Sequence, residues 1–98
     1  MQIKKFEDII DWQKAQDLAF NIYSEFNTIK DFGFKDQISK AVVPISNNIA
    51  EGIDRSSDAD LLRFLCIAIS SSSEVKLMLY LAERLKYINY DLRLITND

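Results

Sequence analysis

Residues 37–57 read QISKAVVPISNNIAEGIDRSS. Ile38, Ala41, Val42, Ile45 and Ile49 recur there in steps of three and four, with Phe34 one step earlier. Such spacing places the apolar side chains on one face of an α-helix. Pro44 lies inside the pattern, where it removes a backbone donor and crowds the preceding turn, at a cost of about 3 kcal/mol. The periodicity continues past it on the same face, so one kinked or locally adjusted helix is expected rather than two. The polar end of the stretch then reads as the last helical turn, NNIAEG, with Gly52 as the C′ residue and IDRSS as the way out.

On the N-terminal side, Trp12, Ala15, Leu18, Ala19, Ile22, Tyr23 and Phe26 form another helical face, with polar residues between them. This predicts a first helix over about residues 7–28. Lys30, Asp31, Phe32 and Gly33 are the expected break, Gly33 being suited to positive φ. On the C-terminal side, Ser57 followed by Asp60 resembles a capping box with Asp for Glu. A long third helix is expected from Asp58 to Leu85 or Lys86. Its seam is Leu61, Leu65, Ala68, Ser72, Val75, Leu79 and Ala82, in alternating steps of four and three. Ser70 to Ser73 do not interrupt that phase. They read as helix interior, where small side chains let a neighbour come close. Leu62, Phe64, Cys66, Ile67 and Ile69 make the first half of this helix apolar nearly all round. One neighbouring face cannot bury all of them, so several helices or another subunit must. Leu62, Phe64, Leu65 and Ile69 are therefore the candidate oligomer contacts. Beyond Tyr87, Ile88, Leu92 and Ile95 suggest a short fourth helix with Asn89 as N-cap. So short a helix must dock to be ordered.

The whole chain is one all-α domain, residues 1–98, on this reading. Its 98 residues suit a single domain, and two glycines and one proline leave too little turn material for an all-β fold. At 48% hydrophobic and 28% charged, its composition is that of a globular protein. The N-terminus lacks the apolar run of a signal peptide. The longest apolar run, LLRFLCIAI, falls short of the roughly 18 residues of a membrane span. Cys66, the one cysteine, has no internal disulfide partner and reads as a buried structural thiol. A cytoplasmic protein without a membrane partner is expected.

Net charge is −3, so the basic excess typical of nonspecific nucleic-acid binders is missing. The chain has no histidine, which removes the commonest neutral-pH base and metal ligand. Triad and zinc arrangements cannot be built from it, and no glycine-rich phosphate loop occurs. Glu7, Asp8 and Asp11 read as an acidic helix start complementing the dipole, rather than a metal site. No enzyme, no cofactor and no small-molecule substrate are expected, a carboxylate metal-dependent hydrolase being the weakest alternative. Binding candidates are Asn47, Asn48, Glu51, Arg55 and Arg63. The structural reading of Asn48, Glu51 and Arg55 is a buried polar network closing the corner between helices 2 and 3. The functional one makes Lys4, Lys5, Lys40, Arg55 and Arg63 contacts to nucleic acid or a partner.

Three stretches carry a family resemblance. FEDIIDWQKAQDLAFNIY, QISKAVVPISNNIAEGIDRSS and DLLRFLCIAISSSSEV are similar, in this order, to the first three helices of a bacterial family. These are the four-helix bundle proteins encoded in intervening sequences of 23S ribosomal RNA genes. The resemblance covers roughly residues 6–88. It implies an up-down-up-down four-helix bundle, a ring-shaped homopentamer and no catalytic residues. Some relatives look like accessory variability determinants of diversity-generating retroelements, which bind a reverse transcriptase and nucleic acid through a basic surface. Ser39-Lys40 stands where members often carry Arg-Arg, Pro44 precedes the usual proline position near Ser46, and the fourth helix is shorter than usual. An oligomeric scaffold for protein or RNA is the function this implies, with the reverse-transcriptase accessory role as the alternative.

Overall fold

The computed structural model describes residues 9–55 and 57–88. Three helices follow one another: α1, Ile10–Glu25; α2, Phe32–Asp54; and α3, Asp58–Arg84. No strand occurs among the described residues. The short connections make successive helices antiparallel neighbours. The expected fourth helix, with Asn89, Leu92 and Ile95, lies outside the described residues, as do Lys4, Lys5, Glu7 and Asp8.

The middle helix holds the fold together. α2 packs against both α1 and α3, whereas α1 and α3 barely meet. This places the three helices at three corners of a square, α1 and α3 on the diagonal. The core contains Ala15, Leu18, Ile22 and Phe26 of the first hairpin arm and Ile38, Val42, Ile45 and Ile49 of α2. α3 adds Ala68, Val75, Met78, Leu79 and Ala82. Every position of the α3 seam is buried or half-buried, as the heptad phase requires. The serine run lies inside α3 without a break.

Several boundaries differ from expectation for identifiable reasons. α1 stops at Glu25, and residues 26–28 form turns. Phe26 is still buried, but Tyr23 is exposed. Gly33 is not the break. Asp31 caps α2, its Oδ1 accepting from the Phe34 N–H at 3.1 Å, and Gly33 is already helical. No glycine among the described residues takes positive φ. Gly52 is therefore no C′ cap; α2 runs on to Asp54 with Arg55 as C-cap. Its role is proximity. A Cβ on Gly52 would lie 3.1 Å from Phe64 Cβ and 3.3 Å from Leu61 Cδ1. Its bare backbone lets α3 cross α2 closely.

α2 is continuous through Pro44. The Asn48 side-chain amide donates to the Pro44 carbonyl at 2.7 Å. α3 begins as the sequence suggests, with Ser57 Oγ accepting from the Asp60 N–H at 3.1 Å. It ends in a Schellman motif. The Tyr87 N–H donates to the Ala82 carbonyl and the Lys86 N–H to Glu83, with Lys86 at φ 63°. A non-glycine residue thus occupies the left-handed position. The reversal brings Tyr87 against Phe34, ring centroids 5.3 Å apart, and Phe34 against Phe26 at 5.6 Å. The Tyr87 hydroxyl donates to Asp31 Oδ2 at 2.7 Å, tying the end of α3 to the cap of α2. Ile88 is buried beyond it.

Candidate interaction surface

α3 carries two stripes, one buried against the other helices and one exposed. Opposite the buried seam run Leu62, Cys66, Ile69, Ser73, Leu77 and Tyr80, every one exposed and none charged at neutral pH. Leu62, Ile69 and Leu77 are each about two-thirds exposed, at 64%, 66% and 69%. From Leu62 to Tyr80 the stripe runs for about 27 Å at 1.5 Å per residue. Exposed apolar residues in isolation need no explanation, but a contiguous line of them marks a contact surface. Cys66 belongs to this line and is exposed. The expectation of a buried thiol fails because its apolar neighbours in sequence point to different sides of the helix.

The four candidate oligomer contacts therefore divide. Leu62 and Ile69 face outward. Leu65 is half-buried against the core, and Phe64 sits over Gly52 at the α2–α3 crossing. Those two cannot offer their full surface to another molecule. By length and composition α3 is also apolar enough to cross a membrane. Its leucines, isoleucines and alanines carry this average, while Arg63 and the serine run interrupt the unbroken apolar stretch sought in the sequence. Glu74 and Lys76 stand in its middle, where a hydrocarbon core would penalise them.

The corner between α2 and α3 is solvated rather than buried. Arg55 and Glu51 form an ion pair one turn apart, both about half exposed. Asn48 takes no part, since its amide is used on the Pro44 carbonyl. Arg63 reaches Asp60 at 3.6 Å. The corner does assemble one feature not anticipated. The Arg63 guanidinium lies 4.6 Å and the Arg55 guanidinium 5.2 Å from the Phe64 ring centroid. Both cations use the ring's negative face. Lys40 lies some 15 residues before Arg55 on α2, about 22 Å away along the axis. It pairs with Asp36 at 2.9 Å. The three described candidate cations thus do not form one basic face, and each already has an acidic neighbour. Asn47 is exposed.

A second uncharged line lies on α1: Gln13, Gln16, Phe20, Tyr23 and, just past the helix, Asn27, all exposed. Phe20 is 71% exposed. Gln16 is anchored by donating its amide to Ser46 Oγ at 2.9 Å, which satisfies the one buried polar side chain of α2. Steps of three and four among glutamines and aromatics could have revealed this line, but the search for an apolar core face passes over it. Among the described residues no group of His, Cys, Asp and Glu is placed to hold a metal ion.

These features define a small antiparallel helical protein with an uncovered apolar face and a central helix shared by two neighbours. Residues 7–95 match the model of the 23S rRNA-intervening sequence protein family, and the chain belongs to that family. No curated protein matches it.

Proposed function

We propose that this protein is a non-enzymatic interaction scaffold that associates with further copies of itself through the outward stripe of α3. The single observation behind this reading is that stripe: six consecutive outward positions without a charge, set opposite the helix's own core seam. A fourth helix in the same bundle would occupy the corner between α1 and α3, beside α3 rather than behind it. Leu62, Ile69 and Leu77 are the apolar side chains that this stripe offers to another molecule. A ring of five subunits, in a four-helix form of the bundle, is the stoichiometry the family resemblance implies. Binding to nucleic acid as a reverse-transcriptase accessory is the weaker reading, because Lys40 lies far from the Arg55–Arg63 corner and each of the three is paired with an acid.

Native mass spectrometry of the protein isolated gently from its own host tests the proposal. Several subunits together, alone or carrying RNA or another polypeptide, is the expected result. A bare monomer at every concentration would overturn it.

A further inference from the structure

We propose that the base of the bundle, where the α1–α2 turn meets the end of α3, binds the surface of an anionic lipid bilayer. Phe32 is the most exposed large apolar side chain among the described residues, at 72%, and it opens α2 directly after the Asp31 cap. Leu85, the C-cap of α3, is 46% exposed. The Tyr87–Asp31 bond and the Phe34–Tyr87 contact tie the two segments together, so both apolar side chains belong to one end of the molecule. Lys30, Lys35, Arg84 and Lys86 accompany them at that end. Lys30, Arg84 and Lys86 have no ion-pair partner among the described residues. The Lys35 ammonium donates to the Asn27 carbonyl and lies 5.9 Å from the Phe32 ring centroid. Exposed apolar side chains among cations match the boundary between acyl chains and anionic headgroups.

The backbone marks the same end. Lys86 has φ 63°, in the left-handed position after the C-cap that glycine usually takes. A side chain is crowded there, so lysine is kept at a cost in stability, and such outliers gather at functional sites. The helix dipole does not explain it, because Arg84 already supplies a cation to the last turn of α3. Of the acids at the base, Asp31 is committed to the Phe34 N–H and Tyr87, Asp36 pairs with Lys40, Glu25 is half-buried and Glu83 is engaged. Asp54, Asp58 and Asp60, which weigh in the net charge of −3, flank the opposite end of α2. With the base on the membrane they stand about 34 Å away by helical rise, well beyond the screening length of about 8 Å. A nucleic-acid strand fits this end less well, since it would stack on the ring that Lys35 lies against. The proposal departs from the expectation of no membrane partner, which rested on the length of a spanning segment; a surface contact needs none.

Co-sedimentation of the full chain with vesicles tests this. One set is phosphatidylcholine alone, the other equal parts phosphatidylcholine and phosphatidylglycerol. Binding is expected only to the anionic set, and it should weaken as salt rises. Phe32→Ser should weaken it by about tenfold or more, the share of one inserted ring. Its site is exposed, so the core is untouched, and circular dichroism checks the fold. Lys86→Gly separates a binding role from a structural one. It removes the left-handed crowding, so this variant should melt higher than the wild type while binding anionic vesicles severalfold more weakly. No sedimentation with anionic vesicles at low salt, or unchanged sedimentation of either variant, would overturn the inference. So would Phe32-dependent binding of a single-stranded oligonucleotide with none to vesicles. Self-association through α3 stands or falls separately, since Phe32 and Lys86 lie outside its outward stripe.

Discussion

At the scale of single residues, Tyr87 shows how a small group can close one end of the bundle. Its hydroxyl donates to Asp31, which already accepts from the Phe34 N–H. Both bonds favour the ionised carboxylate, the Tyr87 bond foremost, and hold Asp31 below its usual range. The same bond, with burial and the Asp31 charge behind it, raises Tyr87. The signs follow by linkage. Asp31's contribution is complete above the ordinary carboxylate pKa of about 4 and is lost as pH falls through the lowered value. Tyr87's contribution is complete below about 10 and is lost as pH rises through the raised value. In thermal melts from acid to alkaline pH, Tyr87→Phe should melt lower at neutrality and show a shallower loss at both extremes. An unchanged pH profile would remove the latch. Gly52 is the other decisive residue. Gly52→Ala gains about 1 kcal/mol of helix propensity, but its Cβ meets Phe64 Cβ at 3.1 Å. That atom is rooted on the α3 backbone and cannot rotate away. A net loss of about 1–2 kcal/mol is expected, read as a lower denaturant midpoint at unchanged slope.

At the scale of elements, the sequence was most informative where periodicity and capping spoke together. The α3 seam, its start at Ser57 and its unbroken passage through the serines follow from spacing and one hydroxyl. Ser57→Ala should cost about 1 kcal/mol of stability, measurable by urea unfolding. Glycine was the misleading signal. Gly33 and Gly52 both suggested helix ends, yet each lies inside a helix. One follows a stronger cap at Asp31, and the other marks a tight crossing that only tertiary structure reveals. Cys66 was misread for a similar reason. Composition around it is apolar, but burial depends on the side of the helix, and both sides of α3 are apolar. The polar corner was legible in part. The Glu51–Arg55 pair follows from spacing, whereas the capture of Asn48 by the Pro44 carbonyl and the stacking of two arginines on Phe64 depend on geometry. The exposed apolar stripe of α3 was half legible, through Leu62 and Ile69. The α1 line was hidden because glutamine and asparagine do not register in an apolar pattern.

At the scale of the whole molecule, the proposed assembly would tie stability to protein concentration. A chain that exposes Leu62, Ile69 and Leu77 as a monomer exchanges that exposure for contact when copies meet. The melting temperature of the wild type should therefore rise with protein concentration, since association favours the folded state by mass action. The Ile69→Asp variant should melt at one temperature throughout a dilution series. A concentration-independent wild type would mean that the stripe stays in water.

The shared middle helix has a consequence for how the chain is made. During synthesis α1 and α2 are complete before α3 emerges, and they can pair at once. Half of the inward arc of α2 then waits bare until the serine-centred length of α3 has left the exit tunnel. The newborn α3 presents apolar side chains in nearly every direction, and one of its two faces stays exposed among the described residues. Nascent copies on adjacent ribosomes of one messenger would be the first surfaces it meets, so assembly begun during translation would leave the fewest such faces unclaimed.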